Sequence, residues 1–194
     1  MDLKDAIEFH GHLCPGLVIG YRIGTYAAEQ FKDRSEDEEL VVVVENKSCS
    51  VDAIQVINGC TFGKGNLVFK DLGKHVYTFF KRGDRNALRI SVNPRKRSND
   101  EKYNELFPKV RNGTATAEEL EEFRKRHAEN AYAILDIPDE DLFTVTNVET
   151  EPPEKAMVYR SIACAECGEE AMETRLRVKE GKIVCLSCFE GHDI

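Results

Sequence analysis

Leu40-Val41-Val42-Val43-Val44 leads through Glu45-Asn46-Lys47-Ser48-Cys49 into Ser50-Val51-Asp52-Ala53-Ile54-Gln55-Val56-Ile57-Asn58-Gly59. A near-continuous β-branched run of this length marks a strand buried on both faces. The residues after it predict a short helix from about Val51 to Asn58, capped by Ser50 and closed by Gly59 in the left-handed region. Cys49 therefore follows the C-terminal end of a buried strand and precedes a helix N-terminus, a favoured place for chemistry.

Beyond this unit lies Cys60-Thr-Phe-Gly-Lys-Gly-Asn66, a loop in which two glycines bracket Lys64. Strands are expected at about 67–71, 75–81 and 87–92, the first two joined by Leu72-Gly73-Lys74, as an antiparallel meander. Helices are expected over 98–111 and 116–135, the second opened by a Thr116/Glu119 capping box, and a last strand over Leu142–Val148. On the N-terminal side, 2–8 and Pro15–Phe31 read as helices, and Gly20 and Gly24 inside the second imply that a helix or strand packs closely there. The expected fold class is α+β, with helices packed on a mainly antiparallel sheet. Glu149-Thr-Glu-Pro-Pro153 is a linker, dividing a core of 1–150 from a small unit of 155–194.

Phe9-His10-Gly11-His12-Leu13-Cys14-Pro15-Gly16 is the densest chemical signal in the core. Two histidines and a cysteine alternate, and an extended backbone would turn His10, His12 and Cys14 to one side. Pro15 makes Cys14 the expected N-cap of the following helix, where the dipole favours a thiolate. Cys49 and Cys60 are the other core cysteines. They stand near opposite ends of a helix about 12 Å long, whereas sulfurs sharing one metal lie within ~4 Å. The expected core site is therefore His12, Cys14 and one of Cys49 or Cys60, with a position left for water or substrate. Lys64 and nearby N–H groups could hold an anion, although Gly63-Lys64-Gly65 lacks P-loop spacing and equally suits a tight turn. His75 and His127 read as structural or solvated.

Cys164-Ala-Glu-Cys167 and Cys185-Leu-Ser-Cys188, separated by 17 residues, form the four-thiolate zinc pattern. A hairpin of 173–178 and 182–184, turning at Glu180-Gly181, would present both pairs to one structural zinc. A dithiol redox centre or an iron–sulfur site is the alternative. About 40 residues build too small a core alone, so the metal supplies folding energy.

The 194 residues are 41% hydrophobic and 32% charged, with net charge −8, a balance that makes nucleic acid an unlikely general partner. The tail from Lys155 carries six Lys/Arg against seven Asp/Glu, favouring protein docking over DNA. Between Lys81 and Arg97, seven Lys/Arg face one acid, either a solvated face or a surface for a small anionic ligand or acidic partner. No apolar run reaches the ~20 residues of a membrane span. Seven cysteines in metal-like spacings and no secretory signal predict a cytoplasmic protein.

FHGHLCPGLVIGYR (9–22) and CSVDAIQVINGCTFGKGNL (49–67) resemble the signature of the FmdE family, named for a component of formylmethanofuran dehydrogenase, and the tail resembles the treble-clef zinc finger of some members. The resemblance implies an α+β core, commonly dimeric, with a His/Cys cleft that binds a second divalent metal. The positions it marks are His10, His12, Cys14, Cys49, Asp52, Gln55, Cys60, Lys64 and Asn66. Of these, Cys14, Cys49, Cys60, His10, Asp52 and Lys64 are the candidate catalytic residues. The implied function is a metal-binding accessory protein of a molybdenum/tungsten enzyme or of its metal or cofactor handling. The alternative is a free-standing metal- or thiol-dependent enzyme acting on a small anionic substrate. A transcription-related zinc-finger protein rests on the tail alone.

Overall fold

The computed structural model describes residues 1–32, 34–94 and 100–191. Two compact units divide it, Met1–Lys155 and Ala156–Ile194. In the first, α1 (Leu3–His10) and α2 (Pro15–Phe31) precede β1 (Leu40–Val44), α3 (Cys49–Asn58), β2 (Leu67–Phe69), β3 (Val76–Lys81) and β4 (Asn86–Val92). Then come α4 (Glu101–Arg111), α5 (Ala117–Tyr132), α6 (Asp139–Leu142) and β5 (Phe143–Glu149). The five strands form one sheet in the order β2-β1-β3-β4-β5.

The fold is α+β, and the sheet is mostly antiparallel, but the expected meander is not how it begins. β1 and β2 are parallel, with Val42 opposite Leu67, and β1 lies between β2 and β3. The strands around Leu72-Gly73-Lys74 are therefore not partners. Residues 70–75 pass round the end of β1 instead, where Leu72 and Lys74 both donate N–H bonds to Glu45 O. All five residues of β1 are buried because it is internal to the sheet and covered on both faces.

Leu40, Val42 and Val44 share one core with Tyr77, Phe79, Leu88 and Ile90 from neighbouring strands, and with Val18 and Ile23 of α2 and Ile54 of α3. Val41, Val43, Phe80 and Ala87 form a smaller cluster, as the period of two along a strand requires. The partner implied by the α2 glycines is α3. A Cβ at Gly20 would lie 2.2 Å from Ser50 O, and one at Gly24 would lie 2.8 Å from Asn58 Oδ1. Asn58, fully buried, donates to Gly24 O at 2.9 Å and fixes that register.

Other local expectations shift slightly. α3 begins at Cys49 with Ser48 as N-cap, so Ser50 lies inside the helix, where its hydroxyl bonds Tyr77 Oη at 2.5 Å. The Thr116/Glu119 capping box is present, and α5 gives way to a 3₁₀ turn over Ala133–Asp136. Arg22 donates to Ile134 O, Leu135 O and Ile137 O, absorbing the carbonyls of that turn. Arg95, Lys96 and Arg97 of the basic stretch, and His192, lie outside the described residues.

In the second unit β6 (Ser161–Ala163) pairs antiparallel with β7 (Glu170–Met172), and β8 (Leu176–Lys179) with β9 (Lys182–Cys185), before α7 (Leu186–Glu190). Glu180 and Gly181, at φ 50° and 78°, make the two-residue turn of the second hairpin. Residues 173–175 form a 3₁₀ turn where the sequence suggested strand. No helix among the described residues is long and apolar enough to cross a membrane.

Candidate metal centre

His10, His12 and Cys14 do converge, but not along an extended backbone. His10 is the last residue of α1, Gly11 closes that helix at φ 90°, and Cys14 opens α2. A helix end, a glycine turn and a helix start thus fold the three residues inward, and their ligand atoms lie within 4.8 Å of one another. The left-handed φ at Gly11 is what makes so short a turn accessible.

Each member is held by its surroundings. Cys14 is 5% exposed, and its sulfur accepts the Leu17 N–H at 3.4 Å, the N-cap role expected of it. His10 Nδ1 pairs with Asp52 Oδ2 at 2.7 Å, while its Nε2 lies 3.8 Å from Cys14 Sγ. Asp52 comes from the first turn of α3, and Gln55 Nε2 supports its other oxygen at 3.3 Å. The two imidazoles lie with centroids 4.4 Å apart.

The second motif straddles α3, and its two ends part company. Cys49 stays beside Cys14: a Cβ on Gly16 would lie 3.8 Å from Cys49 Sγ and 4.0 Å from Cys14 Sγ. Burial, and after it the neighbouring Cys14 thiol, push Cys49 up to about 11. Cys60 is placed elsewhere, fully buried, its thiol donating to Leu40 O at 3.4 Å and pushed up by burial to about 12. Lys64 Nζ donates to Ser35 O and Glu36 O. Asn66 donates to Leu40 O and Asp37 O while accepting from Thr61 N. Those three side chains fasten the loop before β1.

His127 packs against Tyr103 and Phe123, in keeping with the structural role its sequence context suggested. Burial disfavours its charged form, and the proximity of His12 disfavours it further. Tyr103 Oη contacts His127 Nδ1 at 2.9 Å, and the two rings stack within 17° of parallel. The only local signal was Phe123 and His127, four apart on one helix face.

In the second unit, donor atoms of Cys164, Cys167, Cys185 and Cys188 lie within 4.8 Å of one another. Cys164 Sγ accepts N–H bonds from Cys185 at 3.3 Å and Glu166 at 3.4 Å. Backbone N–H groups, that of Cys167 foremost, hold the Cys164 thiol down to about 6. Four cysteine sulfurs this close match the donor set of a structural zinc site, and tetrahedral zinc suits an all-sulfur set.

Comparison with known proteins agrees with this architecture. Residues 9–144 match the family model described as FmdE, molybdenum formylmethanofuran dehydrogenase operon, and residues 158–193 match the prokaryotic dksA/traR C4-type zinc finger. The chain belongs to the FmdE family and carries a C4-type zinc finger at residues 158–193. A probable S-adenosyl-L-methionine-binding protein of Archaeoglobus fulgidus is 38% identical over 200 residues, covering 96% of this chain and 52% of that protein. The chain thus spans about half the length of the curated relative it matches. The crystal structure of a tungsten formylmethanofuran dehydrogenase FmdE-like protein from Syntrophus aciditrophicus superposes with a TM-score of 0.60 at 22% identity. That match covers 99% of this chain and 92% of the other, and it establishes the shared fold.

Proposed function

We propose that this chain is a metal-binding accessory protein. In this role it holds a divalent cation at His10, His12 and Cys14, with Cys49 beside them, and serves a molybdenum or tungsten enzyme or that enzyme's metal or cofactor supply. The observation that carries this function is the convergence of two imidazoles and a thiol with Asp52 hydrogen-bonded behind His10. A carboxylate on the far nitrogen of a ligating histidine fixes its tautomer and raises its basicity. The mixed nitrogen and sulfur set suits zinc and other late divalent ions, and three protein donors leave a coordination position for exchange. The second unit would act as a structural zinc module for protein docking. Its Cys164–Cys167 turn, hairpin and Cys185–Cys188 helix start support the treble-clef description.

Metal content per chain tests the core site directly. Native full-length protein is expected to hold two equivalents and Cys14→Ser one; an unchanged count would remove Cys14 as an essential ligand. Association is tested separately by pull-down from native cytoplasm, where recovery of no metalloenzyme or cofactor-pathway partner counts against the accessory role. The same preparation, passed over a sizing column, tests the family's dimeric state.

A second function is favoured by one observation, the line Asp52–His10–Cys14, which also has the form of an orienting acid, a base and a nucleophilic thiol. Its substrates would be small anions. The name of the Archaeoglobus relative adds a sulfonium nucleoside as a ligand to test, by equilibrium dialysis with S-adenosyl-L-methionine. A broad metabolite screen that shifts neither the melting temperature nor the metal spectrum would dispose of the enzyme.

A further inference from the structure

Two helices begin at the core site, and each contributes a cysteine there. Cys14 is the N-cap of α2 and Cys49 the first residue of α3. The helices meet through glycine. At Gly16 a Cβ would fall 3.3 Å from Cys49 Cβ, with both cysteine sulfurs no more than 4.0 Å from the same point. Glycine therefore keeps open the space into which the two sulfurs face. Both are free thiols. Cys60 points instead at Leu40 O, and the remaining four cysteines form their own cluster. A metal centre of His10, His12 and Cys14 does not by itself account for a second thiol placed against the first.

We infer that Cys14 and Cys49 are a dithiol modification site, converted to a disulfide by small hydroperoxides. Cys14 is nearly buried, so the oxidant must be small, and hydrogen peroxide is the simplest member of the class. His10 Nε2 lies 3.8 Å from Cys14 Sγ, with Asp52 on its other nitrogen, so a base stands at that sulfur and makes Cys14 the attacking member. Its sulfur bonds to one peroxide oxygen and the O–O bond breaks. The departing oxygen leaves as water, and Cys14 becomes a sulfenic acid, oxidised by two electrons. Cys49 Sγ then attacks the Cys14 sulfur, the S–O bond breaks, a second water leaves, and the S–S bond forms. In sum, two thiols lose two electrons and two protons while one peroxide becomes two waters. Rotation of both side chains into the Gly16 space brings the sulfurs to bonding distance. A disulfide also withdraws Cys14 from the donor set, so oxidation would release the core metal; this last consequence rests on the metal-binding function proposed above.

Mapping of the disulfide after treatment of reduced full-length protein with hydrogen peroxide decides the matter. Alkylation, non-reducing digestion and mass spectrometry are expected to find a peptide joining Cys14 to Cys49, with Cys60 still alkylated. In Cys49→Ser no such peptide can form, and Cys14 is expected to proceed to the sulfinic acid, carrying two added oxygens. Wild-type protein in which Cys14 and Cys49 remain alkylated, or are oxidised singly without joining, overturns the inference. Metal released in parallel with the linkage supports both proposals. Linkage with the core metal retained upholds the dithiol and counts against Cys14 as a metal ligand.

Discussion

Around Cys14, α1, α2 and α3 bury Ala6, Leu17, Ala53 and Ile57, and the sheet lies beyond them. Around Cys164, Val184 is the other buried residue among those described in the second unit. The first cluster is placed by a core that exists without it, so under the proposed function its donor set can remain incomplete and exchange an occupant. The second cluster is itself the core of its unit, and its four thiolates close the coordination shell. One chain therefore carries a candidate metal site that the fold supports and a zinc-finger cluster that supports its own fold.

Chelation should expose that difference most strongly. Structural zinc contributes an apparent ~10–16 kcal/mol to small metal-dependent units, far beyond what so few buried side chains replace. Removing metal with a strong chelator should unfold residues 156–191 entirely while leaving the thermal transition of the first unit in place. Amide exchange or limited proteolysis followed residue by residue would show it. Loss of both units together would break the comparison.

The converse perturbation acts on the supporting core. Gly20→Ala drives a methyl group against the Ser50 backbone, 2.2 Å from its carbonyl oxygen. Backbone cannot rotate aside as a side chain does, so the cost should reach the upper end of the ~1–3 kcal/mol typical of overpacking. Denaturant unfolding of the first unit measures it. The second unit's zinc content should be unaffected.

How much of this was legible in sequence follows the range of each interaction. The β1 run, the Thr116 capping box and the paired Cys-x-x-Cys motifs are local patterns, and each became the element or cluster it suggested. The partner of β2 was not local. Leu72-Gly73-Lys74 signals a change of direction, but only the hydrogen bonds of Leu72 and Lys74 to Glu45 show that the chain rounds β1 there. At the site, His10, His12 and Cys14 do converge, but not for the reason their spacing suggested, since His10 ends a helix. The contact of Tyr103 with His127 joins two helices through residues 24 apart, and only the Phe123/His127 spacing hinted at it.

Within the core site, Asp52→Asn sharpens the comparison by weakening support without removing a ligand. The amide keeps its size but loses the charge that holds His10 Nδ1. Outer-shell changes of this kind typically cost about 10–100-fold in metal affinity. Competition against a chromophoric chelator should show that loss at the core site alone, with the helical circular dichroism unchanged. Unaltered affinity would mean that His10 does not ligate.

The smallest effect is expected at Cys60, and it separates the two cysteines that spacing alone left equivalent. Cys60→Ala removes one buried sulfur from the core between α3 and the start of β1. Leu40 O, which accepts the Cys60 thiol, also accepts Asn66 Nδ2 at 2.9 Å, so no carbonyl is left unsatisfied. Only the small void remains, worth about 1 kcal/mol of stability. Metal content should stay at the wild-type value, because Cys60 does not belong to the converging group of His10, His12 and Cys14. Cys49→Ser, at the other end of the same helix, should weaken core-metal retention with little change in stability. If instead Cys60→Ala lost the metal and Cys49→Ser kept it, the site would have to lie at the start of β1, and the division of α3 into a chemical end and a structural end would fail.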